Sequence, residues 1–301
     1  VALSNPKYFN MKPASKAQPD ASRIFEFTPR DYARVRALIY KQAGISLNES
    51  KQEMVYSRLS RRLRAKNLNS FEAYLDLLES GSDSGEWEAF TNALTTNLTA
   101  FFREAHHFPI LAEHVLKTQG PISIWCSASS TGEEPYSIAM TVCEALGTLT
   151  PRVNIVATDI DTHVLNTASS GVYPIDRIDK MPQDRVKRFF MRGKGSHTGL
   201  VRVRSELRNM ITFKSLNLLA GSWPVSGPFD VIFCRNVMIY FDKPTQSKIL
   251  SRFAPLMKAD GLLFAGHSEN FLHVSDAFTL RGKTVYELNH RHRAASPRAG
   301  S

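Results

Sequence analysis

Two adjacent carboxylates, Glu133 and Glu134, follow a single glycine, Gly132, on a polar stretch that begins at Ser127 and separates two apolar runs. A third carboxylate, Asp159, closes the next apolar run, Asn154 to Thr158. Acidic side chains in such places accept hydrogen bonds from hydroxyls or pair with a cation. They do not suit a pyrophosphate, which needs converging backbone N–H groups, glycines for close approach and no negative charge nearby. Glu133 and Glu134 would also favour a helix N-terminus through the helix dipole, and the turn alone leaves both readings open.

The elements that must position these groups are a strand, Ile122 to Cys126, a helix from Tyr136 to Leu146 and the second strand ending at Asp159. The first run is short and β-branched, and the second has apolar residues at helical spacing. This is the opening βαβ of a doubly wound sheet, where ligands lie across the carboxyl ends of the strands and an acidic group after the second strand holds ribose hydroxyls. A ligand joining a nucleoside to a cationic group fits better than a phosphorylated one. S-adenosylmethionine, with its sulfonium and ammonium, is such a ligand.

With 301 residues the chain is long enough for one full α/β domain and a smaller one, and 43% hydrophobic with 22% charged residues is an ordinary balance for a globular protein. No run reaches the roughly 18 apolar residues of a membrane helix, and no signal peptide is recognised, so no membrane insertion is expected. Cys126, Cys143 and Cys234 lack metal-ligand spacing and lie in apolar runs, which suggests buried thiols, a cytoplasmic location and no metal. The net charge of +10 suggests an anionic partner, either a nucleic acid or an acidic protein surface.

Along the chain, residues 1–22 read as a disordered leader, and residues 23–96 as an all-helical domain. Its first helix is announced by Thr28-Pro29-Arg30-Asp31 and stopped by Gly44. Its second, about Glu49 to Lys66, places Arg58, Arg61 and Arg62 on one face with no matching carboxylates on the opposite face, which points either to a solvated face or to an acidic partner. Residues 97–120 read as a linker that enters the sheet domain, 121–289, and 290–301 as a disordered basic tail. An insertion at about 172–208 interrupts the βα rhythm. It carries Arg192, Gly193, Gly195 and Gly199, then alternating Val and Arg through Arg202, the signature of a tight-turned β-hairpin with one apolar and one cationic face. Its exposed edge would suit an added peptide strand, and a purely decorative surface hairpin is the equal alternative. Strands follow at Met210 to Phe213, Phe229 to Cys234 and Gly261 to Ala265, and a final pair near Phe278 to Leu280 and Thr284 to Leu288 gives a mixed edge.

Five stretches in this order resemble the CheR family of chemotaxis receptor glutamate methyltransferases: Leu94 to Glu104, Ser130 to Ser137, Ala157 to Asp161, Phe233 to Phe241 and Gly261 to Glu269. The resemblance implies a Rossmann-like class I S-adenosylmethionine-dependent methyltransferase sheet with an inserted antiparallel β-subdomain and a helical N-terminal domain. It implies methylation of glutamate side chains on the cytoplasmic domains of bacterial chemoreceptors, leaving S-adenosylhomocysteine. It further implies a cofactor site lined by Asn97, Thr99, Arg103, Glu134, Asp159, Asn217, Leu218, Arg235 and Asn236, with Arg103 and Tyr240 beside the transferable methyl. The β-subdomain, through Arg192, Gly193, Gly195, Gly199 and Arg202, would dock a peptide from the receptor's C-terminus, and Arg58, Arg61 and Arg62 would face the receptor. No nucleic-acid partner is expected, and a monomer is. Two alternatives are a nucleic-acid methyltransferase, weakened by the lack of an Asn-Pro-Pro-Tyr motif and of paired catalytic cysteines, and a non-catalytic scaffold that binds the cofactor and docks through its hairpin.

Overall fold

In the computed structural model, which describes residues 24–83 and 85–289, the N-terminal helices pack around their apolar stripes. The leader and the tail expected at the two ends lie outside the described residues. Helix α1 (Pro29–Ala43) begins as its sequence implies: the Thr28 hydroxyl accepts the Asp31 N–H, the Asp31 carboxylate accepts the Thr28 N–H in return, and Gly44 ends the helix in the left-handed conformation. Helix α2 (Gln52–Ala65), α3 (Phe71–Ser80), capped by the Ser70 hydroxyl, and α4 (Glu86–Leu94) complete the unit. Val35, Ile39, Val55, Leu59, Tyr74 and Phe90 fill its core.

The arginine face of α2 is not the unpaired surface that its own helix suggests. Arg62 meets Glu86 of α4 with two hydrogen bonds, of 2.9 and 2.7 Å, and Tyr74 donates a third to the same carboxylate, which is 1% exposed. Arg58 donates to the Thr95 and Ala93 carbonyls at 2.5 and 3.3 Å, closing the C-terminus of α4. Only Arg61 of the three is exposed without such a role. The matching carboxylate belongs to another helix, where reading one helix face could not find it.

The segment expected as a linker also differs, because it contains α5 (His107–Lys117). Phe108, Leu111 and Val115, three and four residues apart, bury one side of it against the sheet domain.

The sheet domain proceeds through β1 (Ile122–Cys126), α6 (Glu133–Ala145), β2 (Val153–Asp159), α7 (Thr162–Ser170), β3 (Val172–Pro174), α8 (Gln183–Phe189), β4 (Phe190–Arg192), β5 (Leu200–Val203), α9 (Ser205–Arg208), β6 (Ile211–Ser215), β7 (Phe229–Cys234), α10 (Lys243–Phe253), β8 (Met257–Ala265), β9 (Phe278–Gly282) and β10 (Val285–Leu288). Among the described residues, seven strands form one sheet in the order β6-β2-β1-β7-β8-β10-β9. Strands β6, β2, β1, β7 and β8 run parallel, and β10 is antiparallel to both its neighbours. Sequence order reverses between β1 and β7, so the cleft outside their carboxyl ends is the switch point at which such sheets hold ligands. β1 is apolar on both faces because both are covered: Ile122, Ile124 and Cys126 join the core under α5 and α6, and Trp125 joins the one under α10.

The insertion is a second, three-stranded antiparallel sheet, β3-β5-β4. Val201 and Val203 are buried and Arg202 between them is exposed, which is the one-sided pattern expected of the hairpin. Its connection is longer than a tight turn: Gly193 to Gly199 include a 3-10 turn, Gly195–His197. No helix among the described residues is long and apolar enough to cross a membrane.

Candidate active site

The cavity at the switch point is floored by strand ends. Ser127, Ala128, Ser130 and Glu134 come from the turn after β1 and the start of α6, Asp159 and Ile160 from the end of β2, Leu216 to Leu218 from the segment after β6, and Arg235, Asn236 and Tyr240 from the segment after β7. Its other wall belongs to the helical domain and the segment below it, with Ala43, Ser46, Lys51, Met54 and Leu94 to Thr99 and then Arg103. The cavity therefore brings together all nine residues expected around a cofactor, Asn97, Thr99, Arg103, Glu134, Asp159, Asn217, Leu218, Arg235 and Asn236, and Tyr240 with them. The other candidates, on α2 and the β3-β5-β4 sheet, do not line it.

The turn after β1 explains the lone glycine. Gly132 has φ +99° and caps α6, and a Cβ there would lie 2.7 Å from the Tyr173 hydroxyl and 2.9 Å from the Ala168 backbone. It allows close packing rather than approach to a phosphate. The two carboxylates beyond it diverge. Glu133 turns away from the cavity to pair with Arg177 and to accept the Thr131 hydroxyl. Glu134 turns toward it, taking the Cys126 thiol at 3.3 Å on one oxygen and the Arg235 guanidinium at 3.0 Å on the other.

Arg235 is the hub of the floor. It is 4% exposed, donates to the Arg103 carbonyl at 2.5 Å, and lies 3.3 Å from Glu104. Glu104 in turn accepts the Asn236 side-chain amide and the His267 N–H, both at 3.1 Å. Burial raises the Glu104 pKa, but the His267 N–H, the Asn236 amide and Arg235 outweigh it and leave the group below its ordinary range. At Glu134 burial wins over Arg235 and pushes the carboxyl up. Burial likewise pushes Asp159 up to about 6, although it accepts the Ser130 and Asp161 N–H groups at 2.8 and 3.0 Å. A floor with more carboxylates than guanidinium to balance them favours a cationic ligand with hydroxyl groups, and S-adenosylmethionine carries both.

Two of the expected cofactor residues spend their side chains on holding the walls. The Asn97 amide donates to Asp161 at 2.7 Å and to the Thr95 hydroxyl at 3.2 Å, and the Asn217 amide donates to the Gln42 carbonyl at 2.7 Å across the domain seam. At the lip, Arg103 donates to the Leu98 carbonyl at 2.9 Å, and Tyr240 accepts the Ser46 N–H on its backbone carbonyl at 2.9 Å. The half-buried Arg103 and Tyr240 thus line one cavity, Arg103 from the segment that joins the domains and Tyr240 from the segment after β7.

Several residues that matter here were not singled out by sequence reasoning. Asp161 caps α7 through the His163 and Val164 N–H groups with one oxygen and fastens Thr95 and Asn97 with the other. Its N-cap position was the available signal. Glu104 and Glu269 sit within recognisable stretches, but their roles depend on contacts more than 30 residues away in sequence. The wall from Ala43 to Met54 had no sequence signal. Glu104, His106 and His107 also bring ligand-type atoms within 4.8 Å of one another. His107 is held neutral, its pKa pushed down to about 4 by burial and by Arg235, and its Nε2 faces the Lys283 carbonyl at 2.9 Å. The guanidinium beside Glu104 already supplies the positive charge there.

The chain matches the family model for the CheR methyltransferase all-alpha domain over residues 30–95, and the one for the CheR methyltransferase SAM binding domain over residues 97–287. It is 58% identical over 258 residues to the chemotaxis protein methyltransferase of Escherichia coli (strain K12), a match covering 86% of this chain and 90% of that protein. The similarity to the protein of that name from Salmonella typhimurium has the same extent, and chemotaxis protein methyltransferase 2 of Pseudomonas aeruginosa is 54% identical, covering 87% of this chain and 94% of its own. With a helical domain walling a cavity at the tips of a switch-point sheet, and with both domain models matched in order, the chain belongs to the CheR methyltransferase family.

Proposed function

We propose that this protein transfers a methyl group from S-adenosylmethionine to glutamate side chains in the cytoplasmic domains of chemoreceptors, giving glutamyl methyl esters and S-adenosylhomocysteine. The observation that carries the reading is a cavity at the strand ends whose Glu134 and Asp159 carboxylates suit a cationic nucleoside and whose lining also includes the Arg103 guanidinium. The bound donor supplies a methyl group made electrophilic by its sulfonium. Glu134 is suited to an ammonium and Asp159 to ribose hydroxyls.

A glutamate with a pKa of about 4.3 is already ionised at neutral pH, so the protein needs no general base. When an anion meets a sulfonium both lose charge, and a strongly polar surround would stabilise the reactants more than the transition state. Catalysis must then come mainly from alignment. Arg103 can hold the incoming carboxylate bidentately, leaving a lone pair directed at the methyl, and Tyr240 offers a second hydrogen bond or a wall. The relatives' names fit a receptor substrate. Arg61, the exposed member of the α2 arginines, would steer an acidic receptor surface. The β3-β5-β4 sheet, with Arg192, Gly193, Gly195, Gly199 and Arg202, would dock a receptor C-terminal peptide on its edge.

Methyl-labelled donor, chemoreceptor membranes and the purified protein test this. The label should enter the receptor and leave as methanol in mild alkali. Alkali-stable label, or label in nucleic acid, would overturn the reading.

A further inference from the structure

The segment that carries Asn236 and Tyr240 leaves the end of β7 without continuing as strand or helix. Its only regular piece is the 3-10 turn Met238–Tyr240. Asn236 adopts φ +58°, a left-handed conformation that costs a side-chain-bearing residue energy unless its surroundings impose it. One side chain imposes it here. Glu269, 4% exposed and beyond the end of β8, accepts the Asn236 N–H at 2.9 Å and the Gly266 N–H at 2.5 Å on one oxygen, and the Val237 and Met238 N–H groups at 2.9 and 2.7 Å on the other. Burial pushes this carboxyl up and the four N–H groups oppose it. The ring is close-fitting: a Cβ on Gly266 would lie 2.4 Å from the Asn236 side-chain amide and 2.9 Å from Glu269 itself.

We propose that Glu269 is a positioning residue for methyl transfer, which fastens the segment after β7 to the end of β8 and so sets where Tyr240 stands at the lip of the cavity. Glu269 does not line that cavity, so it acts through the segment it holds. The inference rests on the proposed function, because the step it tunes is that transfer. Of the donor-facing groups Asn236 is held by the same anchor, but Arg235 and Asp159 have anchors of their own. Arg235 has Glu104, Glu134 and the Arg103 carbonyl, and Asp159 has Ser130 and Asp161. Loss of the carboxylate should therefore affect the catalytic step more than donor binding. In Glu269→Gln an NH2 group replaces one acceptor oxygen and opposes a pair of backbone N–H groups in a site of unchanged size, which releases part of the ring.

The test uses the full chain and measures kcat and KM for S-adenosylmethionine, with the Kd of S-adenosylhomocysteine by calorimetry. For Glu269→Gln the expected result is kcat lower by at least about tenfold with the Kd within about threefold. A kcat within twofold of wild type overturns the proposal, as does loss of donor binding in step with kcat, the mark of a general structural defect. Should the variant fail to fold, hydrogen exchange of the unmodified protein decides. The Val237, Met238 and Gly266 amides must exchange at least about a hundredfold more slowly than exposed amides, and rates like those of an open loop overturn the ring. Failure of the functional reading looks different, since wild type itself would then show no turnover.

Discussion

The floor of the cavity and the outer cationic surfaces use the same residue types to opposite effect. At the floor and directly behind it, Arg235 and Glu134, then Glu104 and Glu269, are buried or nearly so, and each has partners from more than one segment of the chain. On α2 and the β3-β5-β4 sheet, Arg61, Arg192 and Arg202 are exposed. Buried charges are held in place by the cost of leaving any of them unpaired, whereas exposed charges are screened by salt and free to change rotamer. Precision therefore resides at the floor, where chemistry needs fixed geometry, whereas recognition of a large acidic partner, as proposed, would need only a field and an accessible edge. Arg58 and Arg62 refine the contrast, because two residues on an outer helix are in fact internal braces.

Breaking the floor should have the largest effect. Arg235→Ala strands Glu104 and Glu134 and should cost roughly 3 kcal/mol of stability together with donor binding, as denaturant unfolding and calorimetry would show. A variant of unchanged stability that still binds donor would mean the floor is not the rigid half of the comparison.

Lowering pH tests the floor more gently. Asp159 has a folded pKa of about 6, above its ordinary 3.8, so burying it ionised costs the free protein stability that is absent below 3.8 and grows as pH rises toward 6. Donor binding through Asp159, as proposed, would need the ionised form and run the other way. Affinity should be constant above about pH 7 and fall by roughly tenfold per pH unit below 6. Flat affinity down to pH 5 would show that Asp159 does not hold the hydroxyls.

At the lip the effect should be smaller. Tyr240→Phe should lower kcat by less than about tenfold if the ring serves mainly as a wall. A larger loss would show that the hydroxyl is required. The outer surface should respond least: Arg61→Glu should weaken receptor binding by less than about fivefold at low salt and not at all at high salt, with kcat unchanged. A salt-independent loss would place Arg61 among the buried, geometric contacts.

What the sequence disclosed divides along the same line. The β1-turn-α6-β2 unit, the strand-end residues and the Thr28 cap are local patterns, and the nine cofactor candidates that the resemblance implies do share one cavity. Glu86 under Arg62, Asp161 under Asn97 and Glu269 under Met238 are pairings across 24, 64 and 31 residues, which no periodicity encodes. Helix α5 lies within the stretch read as a linker, although Phe108, Leu111 and Val115 carry the helical spacing that marks it.

Arg103 is proposed to align an acidic side chain against a donor held independently by the strand tips. Single-turnover methyl transfer by Arg103→Ala, with donor affinity measured on the same preparation, tests it most directly. Transfer should be slower by at least about tenfold, roughly 1.4 kcal/mol in barrier, with donor still bound. Transfer at the wild-type rate would contradict it.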